Sequence, residues 1–136
     1  MAADYSSTPL SRKIGYKTGY KVMTRHEPTV YFDLLMDLPE ELQWYEDAED
    51  ESLDLIHAFY TDQRTLLREL VGLKCKIKKT GMVWLSWPKA SSELATDLKS
   101  AQVRTAGLDA GLVDVKVCSI DKDWSAMKFM YRKTDR

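Results

Sequence analysis

The fold class this sequence predicts is α/β: a mixed sheet of about six strands, mainly parallel, with helices on both faces and an antiparallel hairpin at the end. Three observations carry that expectation. Strand-length apolar runs alternate repeatedly with segments of helical period. Two of the runs, Leu53–Tyr60 and Met82–Trp87, are apolar almost throughout, as strands covered on both faces tend to be. The C-terminal end carries two further strand-like runs joined at Asp121-Lys122-Asp123-Trp124. The chain has 136 residues, which suits a single core.

Residues 1–12 are small and polar without periodicity and predict a flexible N-terminal arm, with one α/β domain over 13–136. Gly15 and Gly19 punctuate the chain before Tyr20–Arg25, which alternates as a first strand. Thr29 then predicts the N-cap of a short helix through Tyr31, Phe32, Leu34, Leu35 and Leu38, stopped by Pro39. Leu42–Glu46 reads as a short strand leading into an acidic loop, and Leu53–Tyr60 as the next strand. Thr61 or Asp62 caps a helix on which Leu66, Leu70, Leu73 and Ile77 recur at helical spacing, with Leu67 and Val71 widening the stripe, and which ends by Gly81. Met82–Trp87 is a strand ended by Pro88, with Trp84 in the core on the face opposite Val83 and Leu85. Ser100 predicts the cap of a helix carrying Val103 and Leu108, with Gly111 near its C-cap. Val113, Val115 and Val117 then alternate with Asp114, Lys116 and Cys118, and Ala126–Tyr131 closes the hairpin. Right-handed crossovers follow from the strand–helix alternation.

Composition excludes several function classes. The 20 basic and 21 acidic residues give a net charge of −1, which removes the bulk electrostatic case for nucleic acid. No apolar run approaches the ~20 residues of a membrane span, and the start Met1–Ser7 has no basic head and apolar core of a signal peptide. The expectation is a cytoplasmic protein with no membrane or nucleic-acid partner. Two cysteines, Cys75 and Cys118, exclude a disulfide framework and a Cys₄ zinc site, and both read as buried, inert thiols. His26 and His57 stand in no metal-ligand spacing, so no metal is expected; His57, inside an apolar strand, reads as a hydrogen-bonded core histidine. Charge is uneven along the chain. Glu40 to Asp62 holds acids without a Lys or Arg, and Arg64 to Arg104 is predominantly basic. This gives either a dipolar surface that orients a partner or, as the preferred reading, an acidic loop and a helix whose lysines face water near its negative end.

Several motifs carry a resemblance. They are Leu85-Ser86-Trp87-Pro88-Lys89, Thr96-Asp97-Leu98, Val103-Arg104, Gly111-Leu112-Val113-Asp114-Val115-Lys116-Val117-Cys118, Trp124-Ser125, and an early Ile14-Gly15-Tyr16-Lys17-Thr18-Gly19. Together they resemble a family of small bacterial proteins known only as a domain of unknown function, closely from about Met82 to Arg132. The sequence departs from that pattern at Arg25-His26-Glu27-Pro28 and at Tyr31-Phe32. The order of elements also resembles the methyltransferase-like Rossmann plan, shortened by at least one early strand–helix unit.

In an open parallel sheet, ligands bind beyond the carboxyl ends of the strands. That rule nominates Arg25-His26-Glu27, Tyr60-Thr61-Asp62 and Trp87-Pro88-Lys89. A dinucleotide or S-adenosylmethionine site normally has a glycine-rich turn after the first strand; here the turn is Thr24-Arg25-His26-Glu27-Pro28-Thr29, without glycine. Glu46 stands about 20 residues on, where an acidic residue would hold a ribose. The candidate ligand-binding residues are therefore His26, Glu46, Trp87, Lys89, Ser91 and Ser92, the last four as an anion-holding cluster. No catalytic residue and no cofactor are assigned. The leading expectation is a non-catalytic or regulatory binding module for a protein partner or small anionic ligand. The alternative is a small enzyme with a nucleotide or S-adenosylmethionine at the strand ends.

Overall fold

A computed structural model describes residues 8–136. One six-stranded sheet organises them, in the order β2-β1-β3-β4-β6-β5. In chain order the elements are α1 (Leu10–Ile14), β1 (Lys21–Arg25), α2 (Tyr31–Leu34), β2 (Gln43–Tyr45), β3 (Leu53–Phe59), α3 (Gln63–Lys76), β4 (Ile77–Pro88), α4 (Ser100–Asp109), β5 (Leu112–Ser119) and β6 (Trp124–Tyr131). Strands β2, β1, β3 and β4 pair in parallel. Strand β6 runs antiparallel to both its neighbours, β4 and β5. The mixed α/β architecture is thus the expected one, with β6 as the reversed strand of the closing hairpin.

Two apolar layers sandwich the sheet. Leu66, Leu70 and Leu73 of α3 and Val103 and Ala106 of α4 pack with Met23, Ile56, Val83, Leu85, Met127 and Phe129 on one face. On the other face, Ile14, Tyr31 and Leu35 pack with Val22, Leu55, Phe59, Trp84 and Ala126. Trp84 is fully buried in this second layer, opposite Val83 and Leu85, as its alternation predicts.

Several elements differ locally from the sequence expectation. Most of the arm expected over 1–12 lies outside the described residues, while Leu10–Ile14 forms α1 with Ser11 buried. Helix α2 is only four residues long, with Val30 rather than Thr29 at its N-cap. Ile77 opens β4 instead of closing the helix, because the chain turns extended at that residue (φ −84°, ψ 149°) and pairs with Leu53. Leu67 and Val71 do not widen the buried stripe; they are 52% and 59% exposed, since only one side of α3 meets the sheet. Lys99, not Ser100, occupies the N-cap of α4, and the Gln102 side chain accepts a hydrogen bond from its backbone N–H. Cys75 is exposed and Cys118 half-buried, so neither thiol is fully enclosed.

The link from β2 to β3 is a loop over residues 46–52 with no helix. Strand order reverses between β1, which leads to β2 on one side, and β3 on the other. That reversal sets the crevice in which α/β sheets of this kind take ligands.

Candidate functional site

The crevice at the reversal is built from the ends of β1 and β3 and the first turns of α3. His26, Tyr60, Thr61, Asp62, Arg68 and Glu69 line it, with Phe59 and Trp124 at its base, around a volume of about 480 Å³. Asp62 starts α3: its carboxylate accepts hydrogen bonds from the backbone N–H of Thr65 (2.9 Å) and the Thr65 hydroxyl (2.8 Å), which hold it below the usual carboxylate range. The Asp97 carboxylate takes the N–H of Gln63 at 2.8 Å. The free donors of this helix end are thus partly occupied by the chain's own acids.

Glu69 organises the wall opposite β1. The Tyr60 hydroxyl donates to Oε1 at 2.7 Å, and Nε2 of His26 lies 3.0 Å from the same oxygen. Burial pushes the Glu69 carboxyl up, but these two hydrogen bonds outweigh it and hold the group ionised below its ordinary range. Burial also raises the Tyr60 phenol, aided by the bond to Glu69, so the phenol stays protonated and donates. The His26 ring stands edge-on to Tyr60 at 5.4 Å. His26 itself has φ 57°, the left-handed region that favours glycine. It occupies the position at which a cofactor-binding turn needs a residue without Cβ.

The residues of this turn do not fit a pyrophosphate or a methionine tail. Pro28 has no N–H to donate, and the carbonyl of Pro28 is taken by the N–H of Tyr31 at 2.9 Å. The Arg25 guanidinium donates to the Thr24 carbonyl and sits 3.9 Å from Asp47. A helix of four residues supplies little dipole at its start.

The six candidate residues do not converge on one place. His26 is in the crevice. Glu46 lines a separate cleft of about 430 Å³ beyond β1 and β2, beside Thr24, Glu27, Phe32 and Trp44. Trp87 is 94% buried and lines a third cleft, with Leu98 and Ser100. The Lys89 ammonium donates to the Ser119 hydroxyl at 2.6 Å, and its backbone N–H donates to the Asp123 carbonyl at 2.8 Å. The Ser92 hydroxyl bonds the Asp123 carboxylate at 2.9 Å, so Lys89 and Ser92 fasten the segment after β4 to the hairpin turn. Ser91 is exposed beside them. Arg68 and Glu69 were not among the candidates. The signal for Glu69 was helical: Asp62, Thr65 and Glu69 fall at i, i+3 and i+7 and so share the face that meets the crevice.

Deeper in the sheet, Tyr16, Tyr31, His57 and Ser86 form a closed relay. The Tyr16 and Tyr31 hydroxyls are 2.8 Å apart, Tyr31 lies 2.7 Å from Nδ1 of His57, and Nε2 of His57 lies 2.6 Å from the Ser86 hydroxyl. His57 is fully buried, and burial pushes its imidazole down to about 3, so the ring is neutral. This is the hydrogen-bonded core histidine the sequence predicts.

Comparison with known proteins places this architecture. The model of a family described as a protein of unknown function (DUF3052) matches residues 32–133. The chain belongs to that family. No curated protein matches it. Among solved structures, the DUF3052 chain is similar to a SAM-dependent methyltransferase from Aquifex aeolicus, with a TM-score of 0.67 and 12% identity over 89% of this chain and 87% of that one. A putative type 11 methyltransferase from Sulfolobus solfataricus gives a TM-score of 0.63 at 12% identity, covering 93% of this chain and 92% of that one. A complex between the Haloferax volcanii Trm112 methyltransferase activator and the putative methyltransferase gives 0.62 at 11% identity, covering 88% and 85%. At these identities the likeness is one of fold: this DUF3052 member has an abbreviated methyltransferase-like Rossmann architecture. Among the described residues no helix is long and apolar enough to cross a membrane.

Proposed function

We propose that this chain is a non-catalytic or regulatory binding module on a methyltransferase-like scaffold, engaging a protein partner or a small anionic ligand at the carboxyl ends of its strands. One observation carries the reading. Where a cofactor would thread past the end of β1, His26 holds the left-handed turn and its imidazole is tied to Glu69. The crevice beside that pair is retained, with the Arg68 guanidinium on its wall as an anion-directed donor. One structure of similar fold is a methyltransferase in complex with an activator protein, which supports a protein partner as one occupant of such a scaffold.

Isothermal titration with S-adenosylmethionine and with nucleotides, at protein concentrations adequate for micromolar affinity, is expected to give no heat. A thermal-shift screen of small anionic metabolites is expected to give hits that Arg68→Ala abolishes, because a ligand stabilises the native state by mass action. Methyl transfer dependent on the purified protein overturns the reading.

One observation favours a second reading, a small enzyme holding a nucleotide or S-adenosylmethionine. Glu46 lines its own cleft with the exposed rings of Phe32 and Trp44, an acid beside aromatic walls. Glu27 in the same cleft repels phosphate, which favours S-adenosylmethionine with its cationic sulfonium over a nucleotide. Binding of either that is lost in Glu46→Gln and Trp44→Ala establishes this reading in place of the first.

A further inference from the structure

Far from the strand ends, the sheet face that carries α1 ends in an arrangement that works against the stability of the free protein. Register places Lys116 of β5 directly opposite Lys128 of β6, and like charges so placed repel. Lys128 in turn lies opposite Trp84 of β4. Alternation along β6 sends Met127 and Phe129 into the α3–α4 layer, which leaves Lys128 on the other face with Trp124 and Ala126. Lys116 reaches back across the same row, its ammonium 6.0 Å from the centre of the Trp84 ring. A third lysine, Lys17, follows α1. The indole N–H of Trp84 donates to the Ile14 carbonyl at 2.7 Å, the chain turns at Gly15 (φ 101°), and the charge of the exposed Lys17 beyond that turn acts on Lys128.

Lys128 is half-buried, yet no salt bridge joins Lys17, Lys116 or Lys128 to a carboxylate among the described residues. The contrast with other lysines is plain: Lys76 and Lys78 each hold an aspartate, at 2.7 and 2.9 Å. Burial first, then Lys116 and Lys17, lowers the Lys128 ammonium below its ordinary range. An ammonium desolvated among other ammonium groups gains most from an anion bridging them.

We infer that Lys116 and Lys128, paired across β5 and β6, form a binding site for a phosphate-type dianion on the sheet face beside Trp84, with Lys17 adding its charge. The site accepts a free phosphate or the phosphate of a small monoester, because ammonium donors satisfy a tetrahedral dianion without demanding anything of the group it is attached to. It is separate from the crevice around His26.

The test is titration of the protein with inorganic phosphate, against sodium chloride at matched ionic strength, followed by thermal shift and by amide chemical shifts of β5 and β6. A second arm uses glycerol phosphate as the monoester probe. Saturable stabilisation by phosphate, absent with chloride, is expected, with shifts confined to the residues around Lys116 and Lys128. Lys128→Met and Lys116→Met are each expected to weaken binding at least tenfold, and Lys17→Gln by a smaller factor. Arg64→Gln, an exposed residue of α3 over the opposite face of the sheet, is expected to leave it unchanged. A stronger response to glycerol phosphate than to phosphate identifies a monoester as the natural ligand; the reverse identifies the free anion. Equal responses to phosphate and chloride overturn the inference. So does wild-type affinity in folded Lys116→Met and Lys128→Met proteins.

Discussion

His57 shows how burial decides the chemistry of a single side chain. Its ring stacks on Phe59 at 4.3 Å and meets Tyr31 edge-on at 5.0 Å, with both nitrogens bonded to hydroxyls. The protonated form would be a charge in an apolar layer, so the native ring stays neutral down to about pH 3, whereas an unfolded histidine titrates near 6.5. Between those values the unfolded chain binds the extra proton. The His57 contribution is therefore complete above pH 6.5 and is lost as pH falls, by up to about 1.4 kcal/mol per unit. Urea unfolding of the wild type and His57→Gln between pH 4.5 and 7 is expected to show a shallower acid slope in the variant; equal slopes would mean the native ring takes up its proton as readily as the unfolded one. His26 is the opposite case. Exposed and bonded to Glu69, it is expected to tolerate His26→Gly without loss of fold, because glycine adopts φ 57° more easily. Thermal denaturation checks this: a marked fall in melting temperature would mean the Glu69 contact outweighs the backbone relief.

Helix α4 lies close against β6. Gly107 lies against the Phe129 ring so closely that a Cβ there would overlap its edge. Gly107→Ala is expected to destabilise by about 2 kcal/mol, the usual cost of overpacking. Phe129→Leu should relieve the overlap and make the double variant less destabilised than the sum of the two single changes. Additive losses in chemical denaturation would show that the helix simply moves away. Strand β5 is, like β2, an edge of the sheet. It has one neighbour, Val115 and Val117 are 47% and 53% exposed, and the register shifts between Asp114 and Lys116. Such a bulge discourages further strand pairing at an edge. Amide hydrogen exchange is expected to be fast in the edge strands β2 and β5 and slowest in β3 and β4. Protection of β5 equal to that of β4 would point to a partner on that edge.

For the whole molecule, two charge runs far apart in composition come together in space. Asp47 from the acidic loop bonds Lys76 at the end of α3, Asp54 bonds Lys78, and the Lys76 ammonium also takes the Ala48 carbonyl at 2.9 Å. The acidic loop thus works as a strap from β2 to β3 across the α3 face, where Ala48 packs against the core. The dipole implied by the linear sequence is reduced accordingly, because opposite charges that pair cancel at a distance.

Periodicity alone determined most of the fold. The apolar continuity of Leu53–Tyr60 and Met82–Trp87 marks strands covered on both sides, and a strand lacking either cover would expose that continuity to water. The missing glycine after β1 was equally legible, because backbone conformation and close approach are constraints on single residues. Only the tertiary structure decided which side chains share a site. His26 and Glu69 are far apart in sequence and meet through α3, while His26 and Trp87, both nominated by the strand-end rule, line separate clefts, and the Lys89 ammonium is taken by Ser119. The same holds for Lys116 and Lys128: alternation gives each its face, but only the register between β5, β6 and β4 sets ammonium against ammonium beside Trp84. A linear pattern records which way a side chain points; what it meets depends on pairing that the whole core enforces.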